Sequence, residues 1–478
     1  MGQESLKKKT VNGVLWSAAE RFSVQGVQFV IQIIMARLLL PSDYGIIGML
    51  AIFLAVSQTF IDSGFTNALI RKVNRTETDY ATVFYFNIAI GVFFYLLLFF
   101  TSPYIASFYK IPLLEQLTKV VGLTLLFNSL TVVQRAKLTV NIDFKTQAKA
   151  SLMAVVVSGA VGISMAFYGY GVWALAIQAV LSAAMNMVLL WILSRWKPAW
   201  VFSLNSFREM FSFGSKLLLS GLINTIYGNI YTLVIGKKFA AVELGYFTRA
   251  DQFAQFPSSS LTGVIQRVTF PVLSSIQEDE GRLRSVYRKY LTLSAYLIFP
   301  LLVGLAAVAH PFINLILTEK WEGVVLLLQI LCISYMWYPV HAINLSLLEV
   351  KGRSDLFLRL EIIKKVLGTG ILVATIPFGV VVMCLGAILS SVIGLAINTY
   401  YTGKLIQVGF FMQMKDLLPS LFYSLSMGVV VYLVIGFIGS YLLQLIAGVI
   451  LGVTYYLTVS YFFRSKELKE LVSLIHHK

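Results

Sequence analysis

Apolar residues fall along this chain in long runs, and short polar turns interrupt them. Fourteen runs predict membrane-crossing helices, at about 12–40, 44–70, 82–108, 117–138, 151–168, 172–194, 211–236, 251–275, 290–317, 325–349, 358–377, 378–402, 417–438 and 441–463. Each comes close to or exceeds the roughly 20 helical residues that a hydrocarbon core of about 30 Å requires. The tightest turns are Pro41-Ser42-Asp43, Tyr168-Gly169-Tyr170-Gly171, Pro377-Phe378-Gly379 and Gly439-Ser440, where proline, glycine and short polar residues favour a reversal. The pattern predicts an all-α polytopic membrane protein with about 14 transmembrane helices.

One turn occurs twice. Ala36-Arg37-Leu38-Leu39-Leu40-Pro41-Ser42-Asp43-Tyr44-Gly45 joins the first two runs, and Gly236-Lys237-Lys238-Phe239-Ala240-Ala241-Val242-Glu243-Leu244-Gly245 joins the seventh and eighth. In both copies a base ends a helix and an acid stands two residues before a glycine. The acid suits the first turn of the next helix, where unpaired N–H groups favour negative charge. A block of spans recurs with the turn, so the expected architecture is two pseudo-symmetric six-helix lobes plus two C-terminal helices. The boundaries fall at 1–200 for the N-terminal lobe, 201–403 for the C-terminal lobe and 404–478 for the accessory helices and tail. The stretch 195–216 is a candidate interfacial helix, and the segment from Arg464 reads as a short amphipathic helix on the inner leaflet.

Composition narrows the class. With 58% apolar and 13% charged residues, the chain is not a soluble globule. The net charge of +16 raises nucleic acid as a partner, but the bases lie in short loops and form no basic domain, so none is expected. With the N-terminus in the cytoplasm, 29 of the 38 Lys and Arg lie on the inner side and 6 on the outer. That asymmetry predicts cytoplasmic termini at both ends. The bases Lys7-Lys8-Lys9 precede a long, polar-striped run without a small-residue cleavage site, which reads as an uncleaved first span. Cys332 and Cys384 sit inside apolar runs as core residues. No metal motif, cofactor-binding loop or nucleophile triad is present in the sequence, so no metal, no cofactor and no enzymatic activity are expected.

Polar residues inside the spans mark candidate chemistry. Ser17, Arg21, Gln25, Gln28 and Gln32 of span one lie within an arc of about 80°, and Gln252, Gln255, Ser259, Thr262 and Gln266 of span eight repeat the arrangement. Two such stripes predict a polar cavity shared by the lobes; the plain alternative is helix–helix bonding by amides. Arg21 lies near mid-membrane, where a base costs roughly 2.5–3.5 kcal/mol, so it presents charge to an anionic substrate or pairs structurally with Asp62. Asn128, Thr131 and Arg135 share a face of span four. Arg267 lies in the inner part of span eight. The expected substrate-binding set is therefore Arg21, Gln25, Gln28, Gln32, Asp62, Asn128, Arg135, Gln252, Gln255 and Arg267. Arg37 and Arg249, with Lys237, mark an outer rim, or snorkel to headgroups. Asp62, Glu20 and His341 are the candidates for ion coupling. A buried, satisfied histidine is the alternative for His341, which shares a face of span ten with Trp337 and Asn344.

With these residues assembled, the chain resembles the polysaccharide transporter family of the MOP flippase superfamily, the Wzx-type exporters. The first half of the resemblance is carried by the first copy of the repeated turn, Phe60-Ile61-Asp62-Ser63-Gly64, Ala68-Leu69-Ile70, Val133-Gln134-Arg135 and Phe144-Lys145. The second half is carried by Ile235-Gly236-Lys237-Lys238-Phe239, Leu244-Gly245-Tyr246-Phe247-Thr248-Arg249-Ala250, Phe270-Pro271-Val272-Leu273-Ser274, Lys320-Trp321-Glu322-Gly323 and Lys351-Gly352-Arg353-Ser354-Asp355. Phe247, where the family often has tyrosine, is a mild departure. The resemblance implies a V-shaped pair of lobes in the bacterial cytoplasmic (inner) membrane. It also implies translocation of undecaprenyl-diphosphate-linked oligosaccharide repeats from inner to outer leaflet, for polysaccharides of the O-antigen or capsule type. The partners so implied are the lipid-linked oligosaccharide, membrane lipids and polysaccharide assembly proteins. The alternative is a multidrug/cation antiporter of the same superfamily, which calls for acids rather than bases in the cavity. A membrane glycosyltransferase or polymerase calls for large outer loops, which are absent here. A non-transporting scaffold for polysaccharide assembly is the remaining reading.

Overall fold

The structure, a computed structural model, describes residues 23–62 and 64–476. Helices account for nearly all of it, with no strand among the described residues. They run in order as α1 (Ser23–Leu38), α2 (Pro41–Asp62), α3 (Phe65–Arg71), α4 (Glu77–Tyr109), α5 (Leu113–Ser129), α6 (Val132–Val140), α7 (Phe144–Phe167), α8 (Val172–Ser194), α9 (Leu204–Gly228) and α10 (Ile230–Lys238). There follow α11 (Ala241–Ser275), α12 (Glu280–Ala307), α13 (Ala309–Ile316), α14 (Gly323–Tyr335), α15 (Tyr338–Val350), α16 (Ser354–Thr375), α17 (Val380–Ile406), α18 (Phe410–Ile435), α19 (Tyr441–Phe462) and α20 (Lys466–His476). Each of the fourteen apolar runs falls on one of these helices or on a consecutive pair. With α2–α3, α5–α6 and α14–α15 counted as single spans, ten are long and apolar enough to cross a membrane, and α9–α10, bent by 40°, makes an eleventh. The other runs fall on α1, of which 16 residues are described, and on the more polar α11 and α16.

The described chain gathers into two compact units, Met1–Gly245 and Tyr246–Lys478. In the first, α7 lies along α8, α4 along α5, and α5 against α8. The repeated turn is an element of this packing. Asp43 Oδ2 accepts the Leu40 N–H at 2.9 Å, which places the acid on an unpaired donor at the start of α2. The two glycines of the repeat approach each other's turns. A Cβ built on Gly45 falls 1.7 Å from the Ala241 carbonyl oxygen, and one on Gly245 falls 2.0 Å from that of Pro41. Only a residue without Cβ fits at either place.

Two helices of this unit break inside a span. α2 gives way to α3 at Gly64, whose φ of +72° is left-handed and suits glycine. α5 gives way to α6 at Leu130 and Thr131, and the Trp191 indole donates to the Leu130 carbonyl at 3.0 Å, satisfying an acceptor that the break exposes. Residues 195–203 form no interfacial helix; Trp196 instead donates to Glu77 Oε2 at 2.7 Å, and α9 begins at Leu204.

In the second unit α12 packs against α18 and α14, and α16 and α14 against α17. Arg288 on α12 grips both carboxylate oxygens of Asp416 on α18, each at 2.7 Å. The Asn344 and Gln413 amides exchange two hydrogen bonds at 2.9 and 3.1 Å, and Thr402 adds a third to Asn344 Oδ1 at 2.7 Å. Such bonds between helices replace those that lipid cannot supply. The tail forms the expected helix: Ser465 accepts the Leu468 N–H at 3.3 Å, and Glu470 pairs with Lys289 at 3.2 Å. Removing the guanidinium in Arg288→Ala is expected to lower stability by about 1–2 kcal/mol, because Asp416 loses a two-point charged partner and Arg288 is itself partly exposed. Arg288→Lys should recover little of it, since one ammonium cannot span both oxygens. Denaturant unfolding of the purified protein checks this, and equal stability of Arg288→Ala and the unsubstituted protein would discard the pair as a stabiliser.

Candidate functional site

Five helices of the first unit bring polar side chains into a cavity of about 430 Å³. Gln28 and Gln32 come from α1, Asn128 from α5 and Arg135 from α6, all four on the expected list. A straight helix would put Asn128 and Arg135 on one face, seven residues apart. The break at Leu130–Thr131 intervenes, yet both still line the cavity.

The rest of the lining was not anticipated. It comes from Thr124 on α5, Ser151 and Ser158 on α7, and Gln178, Ser182 and Asn186 on α8. The signal was present, because Gln178, Ser182 and Asn186 are spaced four and four, on one helical face. Ala154, Val155, Leu175, Ala179 and Ala183 add small apolar patches. Among the described residues, Arg135 is the one charged residue in the lining.

Asp62 closes α2 just before the Gly64 break. Its carboxylate accepts from Gln58 Nε2 at 3.0 Å, and Gln58 Oε1 accepts from Asn128 Nδ2 at 2.9 Å. A line of amides thus joins the acid to the cavity wall. Asp62 and Arg135 attract each other electrostatically. The base that acts on Asp62 here is Arg135; Arg21, expected for that role, and Glu20 lie outside the described residues. Gln25 is half-buried and does not line the cavity. Arg37, at the end of α1, is exposed.

The stripe on α11 divides. Gln252, Gln255 and Arg267 are exposed, belong to the second unit and are not part of this cavity. Arg249 donates to Gln252 Oε1 at 2.6 Å. Gln266 donates to Ser346 Oγ at 3.2 Å, Thr262 is buried, and the neighbouring Ser258 donates to the Tyr335 carbonyl at 2.7 Å. The Gln266 and Ser258 contacts are the helix-to-helix bonds of the plainer alternative.

His341 engages both ring nitrogens, Nδ1 with Asn398 Nδ2 and Nε2 with Ser391 Oγ, each at 3.1 Å. The Asn398 amide nitrogen can only donate, so Nδ1 accepts and the proton sits on Nε2, a neutral ring. The acid that the sequence reading passed over is Asp251, beside Gln252, whose Oδ1 accepts from the Tyr335 hydroxyl at 2.7 Å. No group of His, Cys, Asp and Glu that could hold a metal ion occurs among the described residues.

Fold and site together define an all-helical, multi-pass membrane protein with a polar chamber among apolar spans. The chain belongs to the polysaccharide biosynthesis protein family, whose profile matches residues 34–326. Among its relatives, the lipopolysaccharide biosynthesis protein WzxC of Escherichia coli (strain K12) is 26% identical over 437 residues, covering 90% of this chain and 86% of its own. The teichuronic acid biosynthesis protein TuaB of Bacillus subtilis (strain 168) is 28% identical over 355 residues, covering 74% and 73%. Among solved structures, the lipid II flippase MurJ in an inward closed conformation superposes with a TM-score of 0.78 at 16% identity, covering 94% of this chain and 99% of that one. An inward-facing multidrug resistance transporter of the MATE family, MOP superfamily, gives 0.63 at 13% identity, covering 83% and 100%. The fold is the one these two proteins share.

Proposed function

We propose that the protein flips lipid-linked oligosaccharide repeats from the inner to the outer leaflet of the bacterial cytoplasmic membrane, feeding the synthesis of a cell-surface polysaccharide. The observation that carries this reading is the chamber of amides, hydroxyls and one arginine set among apolar helices. A sugar hydroxyl taken into hydrocarbon without a partner costs several kcal/mol. A wall that both donates and accepts replaces the lost water, while the lipid tail stays in the bilayer. Exposing the chamber alternately to the two sides completes the cycle and makes or breaks no covalent bond. The distribution of bases supports cytoplasmic termini, on the side where assembly proteins would deliver the substrate. The test is reconstitution with defined lipid-linked repeats: accelerated appearance of the glycan on the far leaflet is the expected result, and a rate equal to that of protein-free vesicles rejects it.

Coupling to an ion falls to a titratable group within a span, where acids are usually functional. Asp62 has an arginine acting on it, whereas the partner of Asp251 is a neutral hydroxyl, so Asp251 is the first candidate. Asp251→Asn is expected to abolish the response of flipping to an imposed proton gradient while leaving gradient-free flipping within about twofold, an effect of less than about 0.5 kcal/mol. An undiminished response assigns the coupling elsewhere, with Asp62 and His341 next in line.

A further inference from the structure

We propose that α3 and α6 form one gate leaf at the base-rich end of the first unit, turning about Gly64 and the Leu130–Thr131 break. The proposal rests on the transport reading above and adds its cytoplasmic barrier. Two spans break at one depth. Asp62 ends α2 and Asn128 stands in the last turn of α5, and Gln58 bonds to both, at 3.0 and 2.9 Å. Beyond the breaks each span continues as a short helix, of 7 residues in α3 and 9 in α6. One or two residues that absorb a backbone change are what a hinge needs, and the left-handed Gly64 is such a residue. Gly64 also bears on α9, where its Cβ would fall 2.9 Å from Gly214 Cα. The pivot therefore has a support.

The two short helices hold together. Phe65, Ala68 and Leu69 of α3 share one buried cluster with Val133 and Ala136 of α6, and no residue of that cluster lines the chamber. The cluster reaches Tyr80, Val83 and Phe84 of α4, an apolar surface with no directional bonds to break as the leaf turns. Arg135 at the head of α6 belongs to the chamber wall, so a turn of the leaf opens that wall. The neighbours α4 and α9 run unbroken for 33 and 25 residues and act as posts. Ion pairs tie the leaf to them. Lys72, which caps α3, meets Asp79 of α4 at 3.1 Å and Glu209 of α9 at 2.8 Å. Lys137 of α6 meets Glu77 of α4 at 2.7 Å and lies over the Tyr80 ring at 5.1 Å. Partly exposed pairs of this kind are individually weak and screened by salt, which suits a latch that must release.

A cysteine in the leaf reads its opening. Ala136→Cys on α6 and, separately, Ala68→Cys on α3 are made in the full-length protein in nanodiscs. Both positions are buried, as are the native Cys332 and Cys384. The probe is a water-soluble maleimide, and Ala174→Cys, buried on α8 outside the leaf, is the control. Combining Lys72→Met with Lys137→Met is expected to speed modification roughly three- to tenfold, by the same factor at positions 136 and 68, and to leave position 174 unchanged. High salt should act in the same direction while the lysines are in place. Glu77→Gln serves as a second latch variant should the first fail to fold. No acceleration with either latch variant, acceleration at one leaf position without the other, or equal acceleration at position 174 overturns the proposal. Flipping of the lipid-linked repeat by the same proteins, measured alongside, separates the two claims. Flipping with a leaf that does not respond refutes the leaf and leaves the transport reading, and matched acceleration without flipping does the reverse.

Discussion

A single methyl group at Gly45 is expected to disable the protein. The Cβ of Gly45→Ala would sit 1.7 Å from the Ala241 carbonyl oxygen, and that of Gly245→Ala 2.0 Å from the Pro41 carbonyl oxygen. Both obstacles are backbone at the head of a helix, so no side-chain rotation relieves the overlap. Overpacking an ordinary core costs about 1–3 kcal/mol; here the turns themselves must part, and the loss should reach or exceed the upper end. Each variant is expected to unfold at a clearly lower temperature and to flip substrate poorly. Gly26→Ala, whose Cβ would meet nothing within 4 Å, is the matched control. Unchanged melting and flipping in Gly45→Ala would mean that the two turns do not rest against each other.

The second large effect is expected at Arg135. Arg135→Gln removes the one charge that the described residues bring to the lining and deprives the Asp62 carboxylate of a base that acts on it. Loss of one charge-assisted contact is worth about 1.5–3 kcal/mol, so flipping of a repeat with an acidic sugar should fall roughly ten- to a hundredfold. A wholly neutral repeat should suffer much less. Because Arg135 and Asp62 interact, the losses in Arg135→Gln and Asp62→Asn should not add, and the double variant should be better than their sum predicts. Strict additivity in initial flipping rates would show the two charges to be independent.

Four of the ten polar residues that line the chamber were legible in the sequence, and the other six were written in a weaker version of the same code. Gln28, Gln32, Asn128 and Arg135 stand out because amides and a base at helical spacing are conspicuous in an apolar run. Ser151, Ser158, Ser182 and Asn186 obey the same spacing, but serine is common where membrane helices merely pack closely. Asp251 was hidden beside the more regular glutamines of α11. The break at Leu130–Thr131 gave no warning, since neither glycine nor proline marks it.

Periodicity fixes which side chains share a face, so the long apolar runs, the repeated turn, the uneven spread of the bases and the two polar stripes are all legible in the order of residues alone. What each face meets was decided only by packing. The stripe on α1 opens on a chamber, whereas Gln266 and Thr262 in the matching stripe on α11 are spent on α15 or buried. Arg135 came to act on Asp62, and Gly45 and Gly245, 200 positions apart, came to lie on each other's turns. A helix carries its own hydrogen bonds and can be read locally, but the partner across a gap belongs to another part of the chain, and the sequence of one helix does not contain it.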